Sequence, residues 1–330
     1  MKRMLPLLLA ILIALLPLAC TNANTDTVTL KLHEVTRSVF YAPQYIALSL
    51  GFFEEEGLHV EITTSGGSEK AMTALLSGEA DLCLAGPETG VYVINEGKQD
   101  HPVIVGQLTK RDGSFLIARE PVDRFSWDDL RGKTIIGGRA GGMPIMTLRW
   151  VMAQNGLTDG ENCTIIDSIQ FNLMAGAFEG GEGDYVTLFE PTATEFQKAG
   201  KGYIVANIGL ESGEVPYTCY FASQEMIDRH PERIEAFLRA IYKAQQWIET
   251  ADDGEAALAM QPFFPDASLD SLKSVVKSYR ETDSWMKDPV MREADYERLL
   301  SVIDFNGELR GRPAFSDLVD NRFAEKAIGQ

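Results

Sequence analysis

From Val28 onward the chain alternates short strand signals with helix signals, and this restricts the fold more than any other feature. Layered α/β structure with mostly parallel sheets is the expected result. Residues 28–32 alternate apolar and polar side chains, as a half-buried strand does. Pro43 suits a first helical turn, apolar residues continue to Leu50, and Gly51 ends that helix. Residues 60–64 read as the next strand. Ser68 is expected to cap a helix carrying Ala71, Met72, Leu75 and Leu76 that stops at Gly78. Residues 81–85 form a short strand buried on both faces, and Pro144 opens a helix that ends near Gly156. Residues 185–189 and 217–222 are further strands. Pro231 then starts a long helix with Ile234, Phe237, Leu238, Ile241 and Ile248 on one side, and helical patterns fill most of 253–328.

The start of the chain has a different character. Lys2 and Arg3 precede an unbroken apolar run from Met4 to Ala19, and Cys20 follows. A basic start, a short apolar stretch and a small residue before the cut make residues 1–19 a secretory signal. The run is too short and wrongly flanked for a stable membrane span. Its Leu-Ala-Cys ending resembles the bacterial lipoprotein signal, in which the cysteine is lipidated. Pro17 departs from that pattern, where Leu is usual, so cleavage after Ala23 without a lipid stays open. Residues 20–27 read as a polar tether.

About 310 residues then remain, which suits two α/β units rather than one. Crossings between them are expected near 109–114 and 215–221, giving one lobe of 28–111 plus 220–330 and a second of 112–219. The net charge of −18 becomes about −20 without Lys2 and Arg3, with 28 basic residues against 48 acidic. Such an acidic surface argues against nucleic acid and against polybasic attachment to anionic lipid. Cys83, Cys163 and Cys219 are widely spaced and match no disulfide or metal framework; Cys83 and Cys219 read as inert strand cores. His33, His59, His101 and His230 are scattered without ligand spacing. Neither a metal nor a cofactor is expected.

Two segments carry a family resemblance. One is Phe40-Tyr41-Ala42-Pro43-Gln44-Tyr45-Ile46-Ala47 with Gly51-Phe52-Phe53-Glu54-Glu55-Glu56-Gly57-Leu58. The other is Ala74-Leu75-Leu76-Ser77-Gly78-Glu79-Ala80-Asp81, leading into Leu84-Ala85-Gly86-Pro87-Glu88. In this order and spacing they resemble the substrate-binding proteins of ABC importers for nitrate, sulfonates, taurine and thiamine pyrimidine precursors. The similarity extends over the mature chain, through Gly132-Lys133-Thr134-Ile135-Ile136-Gly137 and the helical tail. It implies the class II periplasmic-binding-protein fold, in which two lobes close about a small solute, and as partners a permease and its ATPase. A monomer outside the cytoplasm is implied, held by lipid in a periplasm or on the outer face of a one-membrane cell.

Ligands of α/β sheets sit beyond the carboxyl ends of strands, so the loops after Leu32, Ala85, Ile136 and Phe189 are the places to inspect. Most of the signature reads as scaffold. Gly51 and Gly57, for instance, permit positive φ at tight turns. Ser38, Phe40 and Tyr41 precede a helix start, and the resemblance puts their loop at the cleft; ligand contact and simple packing are both open for the two rings. Glu88, at the exit of a buried strand, joins the candidates. The cluster Gly137-Gly138-Arg139-Ala140-Gly141-Gly142-Met143-Pro144 opens a helix; Arg139, Gly141 and Gly142 there either cradle an anion or merely allow a flexible turn. It is not a phosphate loop, because no Gly-Lys-Ser/Thr follows. Phe189 and Glu190 end a strand. A carboxylate at Glu190 would repel nitrate or sulfonate and would accept paired hydrogen bonds from an amino-heterocycle stacked on aromatic rings; a solvated turn glutamate is the alternative. Tyr217 and Tyr220 point to opposite faces of their strand, so one of them is expected at the cleft.

The function expected on these grounds is a receptor for a small aromatic nitrogen heterocycle, with a thiamine pyrimidine precursor first. A riboflavin-like flavin, or a sulfonate, taurine or nitrate, are the alternatives within the class. A pyrimidine synthase of yeast resembles these receptors, but it uses a cysteine-rich iron motif that has no counterpart here, so no enzyme is expected. An extracellular sensor domain is a third class, and the neighbouring genes would separate import from sensing.

Overall fold

The computed structural model describes residues 27–98 and 100–329, so the expected signal, its cleavage site and Cys20 lie outside the described residues. Two five-stranded mixed sheets form the frame. The first contains β1 (Val28–Glu34), β2 (Leu58–Thr64), β3 (Leu82–Ala85) and β4 (Val103–Thr109). The second contains β5 (Ser114–Ala118), β6 (Thr134–Ile136), β7 (Thr164–Ile166), β8 (Tyr185–Phe189) and β9 (Tyr203–Asn207). The chain then returns to the first sheet as β10 (Thr218–Ala222). The strand orders are β2-β1-β3-β10-β4 and β7-β6-β8-β5-β9. β1 pairs in parallel with β2 and β3, and β6 with β7 and β8, while β10 and β5 run antiparallel to their neighbours.

Helices α1 (Ala42–Ser49), α2 (Ser68–Leu76) and α3 (Glu88–Asn95) follow strands of the first sheet. Helices α4 (Met143–Gln154) and α5 (Thr192–Lys198) follow strands of the second. Pro43 and Pro144 sit in the first turns of α1 and α4, where the missing N–H costs nothing. Gly51 and Gly57 both have φ of +74°, the conformation the sequence required there. Ser68 differs from expectation. It is the first residue of α2, and its hydroxyl accepts the amide of Gly86 at 3.2 Å instead of capping its own helix. A partner from the next loop outcompetes the local cap and ties α2 to the exit of β3.

The first crossing runs from β4 to β5. The second is complete by Thr218, because β10 lies wholly in the first sheet, whereas the sequence extended it to Phe221. The crossings are laced side by side: the Thr109 and Thr218 hydroxyls are 2.6 Å apart, and the Val215 amide donates to the Lys110 carbonyl at 2.9 Å. The tail is helical, with α6 (Pro231–Thr250), α7 (Leu269–Glu281), α8 (Glu293–Phe305) and α9 (Arg322–Ile328). Ile234, Phe237, Leu238, Ile241 and Ile248 of α6 are buried, each contributing roughly 1.5–3 kcal/mol of apolar transfer energy. Cys83, Cys163 and Cys219 are buried free thiols. Among the described residues no helix is long and apolar enough to cross a membrane.

Candidate ligand-binding site

Strand ends of both sheets converge on one cavity of about 230 Å³ between the crossings and the helix starts. The loop after β1 supplies Ser38, Phe40 and Tyr41. Ser38 caps a short 3-10 turn by accepting the Phe40 amide at 3.2 Å, which fixes both rings. Phe40 is nearly fully buried and sits among Tyr41, Phe189, Tyr217 and Tyr279, with ring centroids 5.2–5.9 Å away. Its ring fits because residue 113 is glycine: a Cβ there would lie 2.6 Å from it. Trp285 of the tail donates its indole N–H to the Phe40 carbonyl at 2.9 Å. The tail thus holds this loop from behind.

The loop after β3 supplies Glu88. It is 2% exposed, and Oε2 has no hydrogen-bond partner among the described residues. Burial pushes its carboxyl up to about 8, opposed by its own amide and that of Met143. Of the other buried carboxylates nearby, Glu34 has both oxygens engaged, whereas Asp112 Oδ2 lacks a hydrogen-bond partner among the described residues. Glu34 accepts from Gln44 at 2.9 Å, Tyr45 at 2.6 Å, Thr64 at 2.8 Å and Arg37 at 3.0 Å. Asp112 accepts the Ser114 amide and hydroxyl on one oxygen, at 2.7 and 2.6 Å. Tyr217 lines the cavity with its hydroxyl beside Asp112, and Tyr220 is buried on the other face, its hydroxyl donating to Gln44 at 3.2 Å.

The loop after β6 brings Arg139, Gly141 and Gly142 to the cavity. Gly138 and Gly141 have φ of +114° and +76°, so this turn does need glycine. Several of its groups are already engaged. Arg139 reaches across the cleft to pair with Glu69, and the Gly142 and Ala140 amides donate to the Arg139 and Asp167 carbonyls at 3.2 Å each. Tyr92, one turn beyond Glu88 on α3, donates to the Gly141 carbonyl at 2.9 Å across the same gap.

Phe189 forms another aromatic wall, but Glu190 does not line this cavity. Its carboxylate accepts the Thr194 amide at 2.9 Å and the Thr194 hydroxyl at 2.7 Å, inside the first turn of α5. Both oxygens are thus engaged in a local cap, because the chain turns into a helix immediately after the strand, and the residue lines a neighbouring cavity with Ser38, Phe171 and Phe189. The residues that sequence reasoning missed are Glu69, Tyr92 and Phe171. Tyr92 was detectable, being four positions after Glu88 on a helix. Glu69 follows β2, whose exit loop the same strand-end rule covers. Phe171 sits in a 3-10 turn with no periodic signal.

Residues 39–253 match the model of a family described as NMT1/THI5 like. The chain is 42% identical over 312 residues to YtlA of Bacillus subtilis strain 168, assigned as a binding protein, across 94% of this chain and 93% of that one. The alkanesulfonate-binding protein SsuA of Xanthomonas axonopodis pv. citri bound to MOPS superposes with a TM-score of 0.72 at 15% identity, covering 89% and 98% of the two chains. The periplasmic nitrate-binding protein NrtA of Synechocystis PCC 6803 gives 0.70 at 16% identity, covering 92% and 89%. The chain belongs to the NMT1/THI5-like family and has the two-lobed fold of the periplasmic binding proteins.

Proposed function

We propose that this protein is the substrate-binding component of an ABC importer, working outside the cytoplasm, and that its ligand is a small flat nitrogen heterocycle such as a thiamine pyrimidine precursor. The family supports the transport role. The observation that carries the ligand class is the aromatic enclosure: Phe40, Tyr41, Phe171, Phe189, Tyr92 and Tyr217 surround a space of about 230 Å³. Offset and edge-on ring contacts suit a planar solute. That volume lies below the usual range for drug-sized ligands, which favours one ring over a three-ring flavin. The sulfonate or nitrate alternative has less support, since Arg139 is paired with Glu69.

Mechanistically, residues 28–111 with 218–330 act as one lobe and 112–217 as the other, closing about the laced crossings. A ligand touching both sets of loops stabilises the closed form, which the permease reads. Attachment to the membrane is through lipid on Cys20. Cys20→Ser should move the protein from the membrane fraction to the soluble one; retention in the membrane fraction would count against the anchor.

The test of ligand class is a thermal-shift panel of thiamine, its pyrimidine precursors, riboflavin, taurine, an alkanesulfonate and nitrate. A ligand at about 100 times its Kd adds roughly 2.7 kcal/mol and raises Tm clearly. A rise with taurine or nitrate alone would overturn the heterocycle reading.

A further inference from the structure

The Glu88 carboxyl is only partly engaged in the ligand-free protein: its own amide and that of Met143 bond to it, and Oε2 is left over. Its Oε2 is buried without a donor among the described residues, an unpaired state that an apolar side chain of the same size would avoid. The backbone makes room for it specifically. A Cβ on residue 86 would lie 2.1 Å from Oε2 and 2.5 Å from Oε1, so only glycine there lets the carboxyl occupy this position. Arg139, the one basic residue among the described residues that line the cavity, is held by Glu69. The other titratable groups around Glu88 are Glu69, the hydroxyls of Tyr41, Tyr92 and Tyr217, and the Cys219 thiol, none of them cationic. A buried carboxyl with a spare acceptor, set in an aromatic enclosure, demands an N–H donor from the ligand.

We propose that Glu88, seated by Gly86, is the specificity-determining group of the cavity. It accepts the exocyclic amino group and pairs with the adjacent ring nitrogen of an amino-heterocycle, and it favours such a solute over an anion. This deepens, and rests on, the heterocycle reading above. The chemistry fits in either protonation state. An ionised Glu88 takes two N–H donors from a protonated amidine edge as a charge-assisted pair. A protonated Glu88 offers one donor and one acceptor to the neutral edge. A sulfonate or nitrate presents acceptors only: it meets like charge on the ionised carboxyl and takes only the single O–H of the protonated one, so neither state pairs with it through two hydrogen bonds. The pairing once assigned to Glu190 therefore falls to a residue on the opposite sheet.

Calorimetry on the full chain tests this with 4-amino-5-hydroxymethyl-2-methylpyrimidine, its analogue lacking the amino group, taurine and nitrate. The amino compound should bind, and the analogue should bind about tenfold or more weakly. Glu88→Met should abolish that preference, and a cooperative thermal melt of the free variant separates lost recognition from lost folding. Glu88→Gln, which also offers a donor and an acceptor, should retain most of the preference. Gly86→Ala should weaken the amino compound with Glu88 still present. Equal binding of amino compound and analogue to wild type, or an unchanged preference in Glu88→Met, would overturn the role of Glu88 and leave the heterocycle reading standing. Binding of taurine or nitrate alone, or of no compound, would overturn both.

Discussion

The Glu190 carboxylate and Thr194 form a closed local unit: the amide donates at 2.9 Å and the hydroxyl at 2.7 Å. The Glu190 backbone meanwhile joins the two halves. Its carbonyl accepts from Ser38 at 3.4 Å, and its amide donates to the Tyr279 hydroxyl at 3.1 Å. Glu190→Ala should cost about 0.5–2 kcal/mol of stability, as loss of a helix cap does. The Kd of the ligand found in the screen should stay within about threefold, below 1 kcal/mol. Urea denaturation and calorimetry on the same preparation check the two numbers.

Tyr279 carries a larger share. Its hydroxyl donates to the Gly113 carbonyl at 3.1 Å while accepting the Glu190 amide, so one buried atom links the first crossing, the end of β8 and the tail. Tyr279→Phe leaves two buried backbone groups without partners. A loss of about 1–3 kcal/mol is expected in urea denaturation.

The stability of the ligand-free protein should fall as pH rises from about 4.5 to about 8. Glu88 has an ordinary value of 4.5 in the unfolded chain and is pushed up to about 8 in the fold by burial. The unfolded state releases the proton first, so the stabilisation is complete below 4.5 and is lost by about 8. Asp112, raised from 3.8 to about 6 by burial, acts in the same direction over a lower range. Glu88→Gln should remove the upper part of this slope, worth roughly a few kcal/mol. Urea midpoints at pH 5, 6.5 and 8 measure it, and identical slopes in wild type and variant would refute the assignment.

The Arg139–Glu69 pair crosses the mouth of the cavity, with side chains 45% and 51% exposed. At that exposure it is worth less than about 1 kcal/mol. Arg139→Ala should therefore weaken ligand binding by less than about fivefold, mainly through faster release, and 0.5 M salt should mimic about the same change in wild type. Stopped-flow dissociation would read both.

The sequence by itself determined the layered α/β order, the helix starts at Pro43, Pro144 and Pro231, the positive-φ turns at Gly51 and Gly57, and the helical tail. These depend on neighbours a few residues apart, on φ limits and on apolar periodicity, so they are written locally. It also led to the strand-end loops where Phe40, Tyr41, Phe189 and Tyr217 come together. Only the tertiary structure decided which carboxylate was left unpaired. Glu190 and Glu88 look alike in sequence, each following a strand that ends near a proline. Thr194 turns in to satisfy the first, whereas Gly86 seats the second where no donor reaches its Oε2. Ser68 and Arg139 likewise found partners in other loops, Gly86 and Glu69. A hydrogen bond goes to whichever partner the fold brings within reach, and that proximity is fixed only when distant segments pack.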